Sequence, residues 1–78
     1  FLRCDVADNA DIVALIAFAG AQHGRIDVLV NNAAIAIGGF PLHEMTEEQW
    51  ARLMAVNLTS VYRACREVLP HMIAQRSG

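Results

Sequence analysis

Arg25-Ile26-Asp27-Val28-Leu29-Val30-Asn31-Asn32 is the stretch on which the fold reading turns. Ile26, Val28, Leu29 and Val30 are mostly β-branched, the run is short, and turn formers bound it on both sides. An apolar run that continues rather than alternates suits a strand covered on both faces, as in a parallel sheet. A helix signal precedes it. Asp8 is placed to cap a first turn, and Asp11, three residues on, favours the dipole there. Ile12, Leu15, Ile16 and Ala19 then recur at helical spacing and give one apolar stripe. Gly20 weakens this helix, and Gly24 suits the left-handed position that ends it. The spacing predicts a helix over 9–23. Phe1 to Val6 is too short to classify alone, and its place in the order makes it a weak strand.

On the other side of the quoted stretch, Ala33 to Glu44 carries Gly38-Gly39 and Pro41 and reads as a mobile loop. Thr46-Glu47-Glu48-Gln49 is a capping box, with Met45 and Trp50 placed for a hydrophobic staple. From Trp50 through Leu53, Met54, Leu58, Val61, Cys65, Val68 and Leu69 to Met72 the apolar residues keep a helical period. This predicts a helix over 47–75, long enough that a break inside it is expected. Pro70 lies within the pattern and should kink it. The order is strand, helix, strand, loop, long helix. Such alternation implies parallel strands joined by right-handed crossovers, an α/β domain of which this is a β-α-β-loop-α segment.

Composition agrees that something larger is involved. The 78 residues are 55% hydrophobic and 18% charged. A body this small buries only about 60% of the surface its unfolded chain exposes. So much apolar surface implies a piece of a larger domain, or a subunit that buries surface against partners. Two strands make no stable sheet, and residues 1–78 are expected to be the central part of one domain cut at both ends. The net charge of −2 rests on six Arg and no Lys, a poor match for nucleic acid or an anionic membrane. No apolar run approaches the ~20 residues that span a bilayer. Phe1 to Asp5 shows neither an initiator Met nor a signal-peptide pattern. Cys4 and Cys65 form no metal spacing and no disulfide framework, and read as reduced thiols of a cytosolic protein. His23, His43 and His71 have no metal-ligand spacing either.

Three places can carry chemistry. Asp5-Val6 ends the first segment ahead of a helix, and ligands of parallel sheets gather beyond the carboxyl ends of strands. A carboxylate there accepts from an exocyclic amine such as that of adenine, and the next N–H serves a ring nitrogen. The plainer reading is that Asp5 ends a strand or caps a turn. Asn31-Asn32-Ala33-Ala34 ends the second strand, with amides able to tie strand ends and small residues that admit a flat or sugar-like ligand. Its plainer reading is a turn. Asn57 lies on the apolar stripe, where an unsatisfied amide costs roughly 1–3 kcal/mol. Three readings are open: solvation at a cleft, a bond to another element, or an ordered water in a proton path. Tyr62 and Arg66 share a helical face, but Arg cannot release its proton, so no catalytic pair is read there.

Asp5-Val6, then Asn31-Asn32-Ala33-Ala34, then Asn57 within Val56-Asn57-Leu58-Thr59-Ser60-Val61 occur in an order and spacing that resembles the classical short-chain dehydrogenases/reductases. Gly24-Arg25-Ile26-Asp27-Val28-Leu29-Val30 and Thr46-Glu47-Glu48-Gln49-Trp50 add to the likeness, which covers essentially the whole chain. The resemblance implies a Rossmann-like doubly wound parallel sheet that binds NAD or NADP. By it, Asp5 and Val6 hold adenine, while Asn32, Ala33 and Ala34 line the adenosine ribose side. Asn31 steadies the central sheet, and Val56 meets the cofactor through its backbone. Ala34 stands where the family most often has Gly.

Asn57 becomes the Asn of the family's catalytic tetrad, kinking its helix and holding a water that joins the active-site Lys to solvent. The Gly-rich phosphate loop, the Ser and the Tyr-x-x-x-Lys of the family are not in these 78 residues. The residue that selects NAD over NADP is not in them either. The resemblance therefore implies the middle of a cytoplasmic oxidoreductase, inactive alone. Its reaction moves a hydride between nicotinamide and a secondary alcohol or ketone, as in 3-oxoacyl reductases. Family members pair the long helix with its symmetry mate, so a homodimer or homotetramer through helix 47–75 is implied. The apolar loop Ile35 to Glu44 borders the substrate side and suggests a non-ionic substrate. Two other readings stay open: a non-catalytic nucleotide-binding member, and an interaction module built on the long helix.

Overall fold

Asp8 opens the first helix as its position requires. Its Oδ1 accepts from the Ala10 N–H at 2.8 Å, and helix α1 runs over Asn9–His23 in the computed structural model, which describes residues 1–78. Gly24 ends it in the left-handed region at φ 72°, its N–H donating to Gly20 O at 2.8 Å. The apolar stripe turns inward, and Ile12 and Ile16 are buried. Ile16 forms the core with Ile26 and Val68, with Ala19, Leu29 and Met72 packed around them. Gly20 faces His71, and a Cβ built there would stand 3.6 Å from the imidazole. The glycine that costs the helix propensity thus lies where α1 meets its neighbour.

Thr46 and Gln49 close the predicted capping box: Gln49 N–H donates to Thr46 Oγ1 at 3.1 Å and Thr46 N–H to Gln49 Oε1 at 3.0 Å. Met45 and Trp50 border one surface depression. Thr46→Ala removes one of these bonds and should cost about 1 kcal/mol of stability. Urea unfolding of the full-length protein measures this, and a loss under about 0.3 kcal/mol would count against the box.

Helix α2 spans Glu47–Met54 and α3 spans Ser60–Gln75, with a π turn at Ala55–Thr59 between them. The body is continuous over 47–75. Its break falls at Asn57 and not at Pro70, which α3 carries without interruption. Ser60 N–H donates to Ala55 O, five residues back, and Ser60 Oγ takes up Val56 O at 2.6 Å. The buried hydroxyl so repairs a carbonyl in the widened turn. The helix stops at Arg76, left-handed at φ 58°, with Ser77 N–H returning to Met72 O. Its outer face leaves Trp50, Leu58, Tyr62, Leu69 and Ile73 exposed.

The expected strands are corrected. Neither Phe1–Val6 nor Arg25–Asn32 forms a strand, and every backbone bond outside the helices belongs to a turn or cap. A strand exists only through a ladder partner. The two segments approach one cavity through Val6 and Leu29–Ala33 without exchanging a backbone hydrogen bond. Val28 and Val30 stay 75% exposed. The apolar run is right for a covered strand, but its neighbours are not among these residues.

Side chains of the long helix hold the second segment instead. Gln75 grips Ile26 twice, Oε1 accepting from its N–H at 3.0 Å and Nε2 donating to its carbonyl at 2.8 Å. Asn57 grips Ile35 the same way, both contacts at 2.8 Å. The chain directions are opposed. Eighteen helical residues rise about 27 Å and nine extended ones about 30 Å, so the two grips match in length.

Candidate functional site

The turn after the first segment is built almost entirely from Asp5. Asp8 N–H donates to Asp5 O at 2.9 Å. Ala7 N–H donates to Asp5 Oδ1 at 2.9 Å, and Asp5 N–H to Asp11 Oδ2 at 2.8 Å. The plain reading of Asp5 as a turn cap is therefore correct. Among the groups it leaves without a hydrogen bond are Asp5 Oδ2, which faces the Arg52 guanidinium at 3.7 Å, and the Val6 N–H. One acceptor and one donor on adjacent residues fit an edge on which an amine stands beside a ring nitrogen. The cap does not use the atoms that the ligand reading requires, so the two readings are compatible.

Asn57 resolves differently. Its side chain is exposed, so the penalty for a buried amide does not arise. Of the three open readings, the structure has the bond to another element. Both ends of the amide engage Ile35, the residue after Ala34. Asn57 therefore pins the main chain that Asn32-Ala33-Ala34 leads into. Val56 keeps its side chain in the interior at 4% exposure, and its carbonyl accepts from Ser60 Oγ.

Val6, Asn32 and Ala33 line one cavity of about 80 Å³ between α1, α3 and the two extended segments. Asp5 adjoins it through the turn. Ala34 joins Asn57 through Ile35, while Val56, in the π turn, is buried. Asn31 turns toward α3, its Nδ2 lying 3.9 Å from Cys65 Sγ. Sequence reasoning missed Arg63, whose Nη1 donates to Ala7 O at 3.2 Å, and Gln75. An Arg set between Val61 and Ala64 on the stripe was the signal available for the first. For Gln75 there was none.

The remaining polar groups have ordinary roles. The Arg66 guanidinium lies 5.5 Å from the Tyr62 ring centre, a cation–π pair one turn apart. Burial, with the carboxylates of Asp11, Asp5 and Asp8, pushes the Cys4 thiol up and keeps it protonated. No three His, Cys, Asp or Glu side chains converge to hold a metal. No helix is long and apolar enough to cross a membrane.

The sequence matches the family model described as short chain dehydrogenase over residues 1–78. It is 47% identical over 79 aligned positions to the 2-(R)-hydroxypropyl-CoM dehydrogenase of Xanthobacter autotrophicus, covering 99% of this chain and 32% of that protein. It is 40% identical to the 3-oxoacyl-(acyl-carrier-protein) reductase of Chlamydia pneumoniae, covering 100% of this chain and 31% of the relative. Among solved structures, a metagenomic short-chain oxidoreductase in complex with NADP superposes with a TM-score of 0.92 at 44% identity. That match covers 96% of this chain and 34% of the other. The chain thus spans about a third of the length of these relatives.

Proposed function

The chain belongs to the short-chain dehydrogenase family, and from that membership we propose that the full-length protein is an NAD(P)-dependent oxidoreductase acting on a secondary alcohol or ketone. The family's Rossmann-type α/β fold is that of the parent domain, of which these residues supply the helical layer and two unpaired segments. The cofactor is NAD or NADP. The observation that supports the reading is the adjacent acceptor and donor at Asp5 Oδ2 and Val6 N–H, neither in a hydrogen bond, beside a cavity shared with Asn32 and Ala33.

Asp5 and Val6 take the adenine edge. Asn32, Ala33 and Ala34 border its ribose, and Val56 offers a backbone contact. Asn57 holds the main chain after Ala34 in place and serves as the family's tetrad Asn. Bound nicotinamide dinucleotide supplies or accepts the hydride. The acid/base Tyr and its Lys are not among the 78 residues, which contain no Lys, so the segment alone is proposed to be inactive.

The apolar groups left exposed on the long helix, among them Leu58, Tyr62 and Ile73, support a homo-oligomer through 47–75. Two free cysteines suit a reducing, cytoplasmic setting. A 3-oxoacyl-type substrate is the specific choice that the Chlamydia relative supports.

Asp5→Asn is the direct test. The amide keeps an oxygen for Ala7 N–H and turns a donor toward the adenine amine, which is itself a donor. NADH and NADPH affinity, read by fluorescence titration, should fall about tenfold for the better cofactor. Unchanged affinity would remove Asp5 from the site.

A further inference from the structure

The Asp5–Ala7 turn is not held by its own hydrogen bonds alone. Arg63, near the start of α3, donates through Nη1 to Ala7 O at 3.2 Å. Arg52, in the last turns of α2, places Nη1 3.7 Å from Asp5 Oδ2. One precedes the π turn and the other follows it, so the Asp5–Ala7 turn is reached from both sides of Asn57. Arg63 is half-buried and has no carboxylate partner, and the Ala7 carbonyl is its one polar contact. A half-buried guanidinium whose single protein partner is a neutral backbone acceptor serves that acceptor's position more than it serves general stability.

We propose that Arg63, assisted by Arg52, is a positioning residue for cofactor binding. It straps the adenine-reading turn to the helix that carries Asn57. Arg63 fixes the backbone beyond Val6 and thereby aims the Val6 N–H. Arg52 draws Asp5 Oδ2 toward the helix, while Oδ1 stays on Ala7 N–H. The proposal rests on the reading of Asp5 and Val6 as the adenine contacts.

The experiment uses the full-length protein with AMP and reduced nicotinamide mononucleotide as separate half-cofactor probes. Arg63→Met keeps the aliphatic stem and removes the donor. It should weaken AMP binding about threefold to tenfold and shift the mononucleotide less than about twofold. Arg63→Lys, which keeps charge and reach, should recover at least half of the AMP loss. Were the Met variant insoluble, the Lys variant decides by the same comparison, with a smaller but selective AMP loss expected.

Equal AMP affinity in wild type and Arg63→Met overturns the strap. So does equal weakening of both probes, which signals general loosening. If Asp5→Asn also leaves AMP binding intact, the adenine reading itself fails. A strong Asp5→Asn effect beside a silent Arg63→Met removes only the strap.

Discussion

Asn57→Ala in the full-length protein is expected to cut turnover about a hundredfold or more and to change cofactor affinity less than about threefold. The substitution deletes both contacts to Ile35, which anchor the main chain immediately after Ala34. Displacement of a positioning contact by about 1 Å suffices for a hundredfold loss of rate. The proposed adenine contacts belong to a different turn, whose own bonds run among Asp5, Ala7, Asp8 and Asp11, so affinity should largely survive. Asn57→Asp retains the acceptor for Ile35 N–H but sets an anion against Ile35 O, and should be almost as slow. Steady-state kinetics with direct binding measurements separate the two quantities. Turnover within about threefold of wild type in both variants would dismiss Asn57 from the reaction.

Val68→Asp should have the largest effect on stability. Val68 is 2% exposed and meets Ile16 and Ile26 where α1 crosses α3. An unpaired carboxylate there costs several kcal/mol, against a total of about 5–15 kcal/mol for a whole domain. Little soluble folded protein is expected. Ile16→Ala probes the same contact more gently, with an expected loss of about 2–5 kcal/mol in urea unfolding. A loss under about 1 kcal/mol would mean that this core does not hold the parent domain together.

What could be read from the sequence was what local chemistry determines. The bounds of α1 follow from Asp8 and Gly24, each acting on its own turn, and the Thr46 box likewise closes within three residues. The strands were not legible in the same way. Val28-Leu29-Val30 has the right residues, but a ladder needs a second chain segment, and none of these 78 residues provides it. The kink expected at Pro70 follows from chemistry that is local to that residue. The π turn around Asn57 arises where Ser60 and Ile35 can accept the altered geometry, and only the fold brings those partners together.

The candidate site divides along the same line. Asp5, Val6, Asn32, Ala33, Ala34 and Asn57 stand out by residue type and order, and Val56 only through the family resemblance. Which atoms of Asp5 remain without a hydrogen bond, and that Arg63 and Gln75 grip the backbone at distant points, depends on three-dimensional partners.

The two amide grips at Ile26 and Ile35 also limit how this stretch can vary in length. A segment tied at both ends to a rigid rod has no slack, and one inserted residue adds about 3.3 Å against a helical step of about 1.5 Å. No whole number of residues added to the rod near one grip restores both alignments without rotating an amide off its target. Insertions and deletions are therefore driven out of 27–34 into the loop beyond Ile35, where Gly38, Gly39 and Pro41 already bend the chain. Diversity among relatives should collect on that loop, while the strip between the grips keeps its residue count.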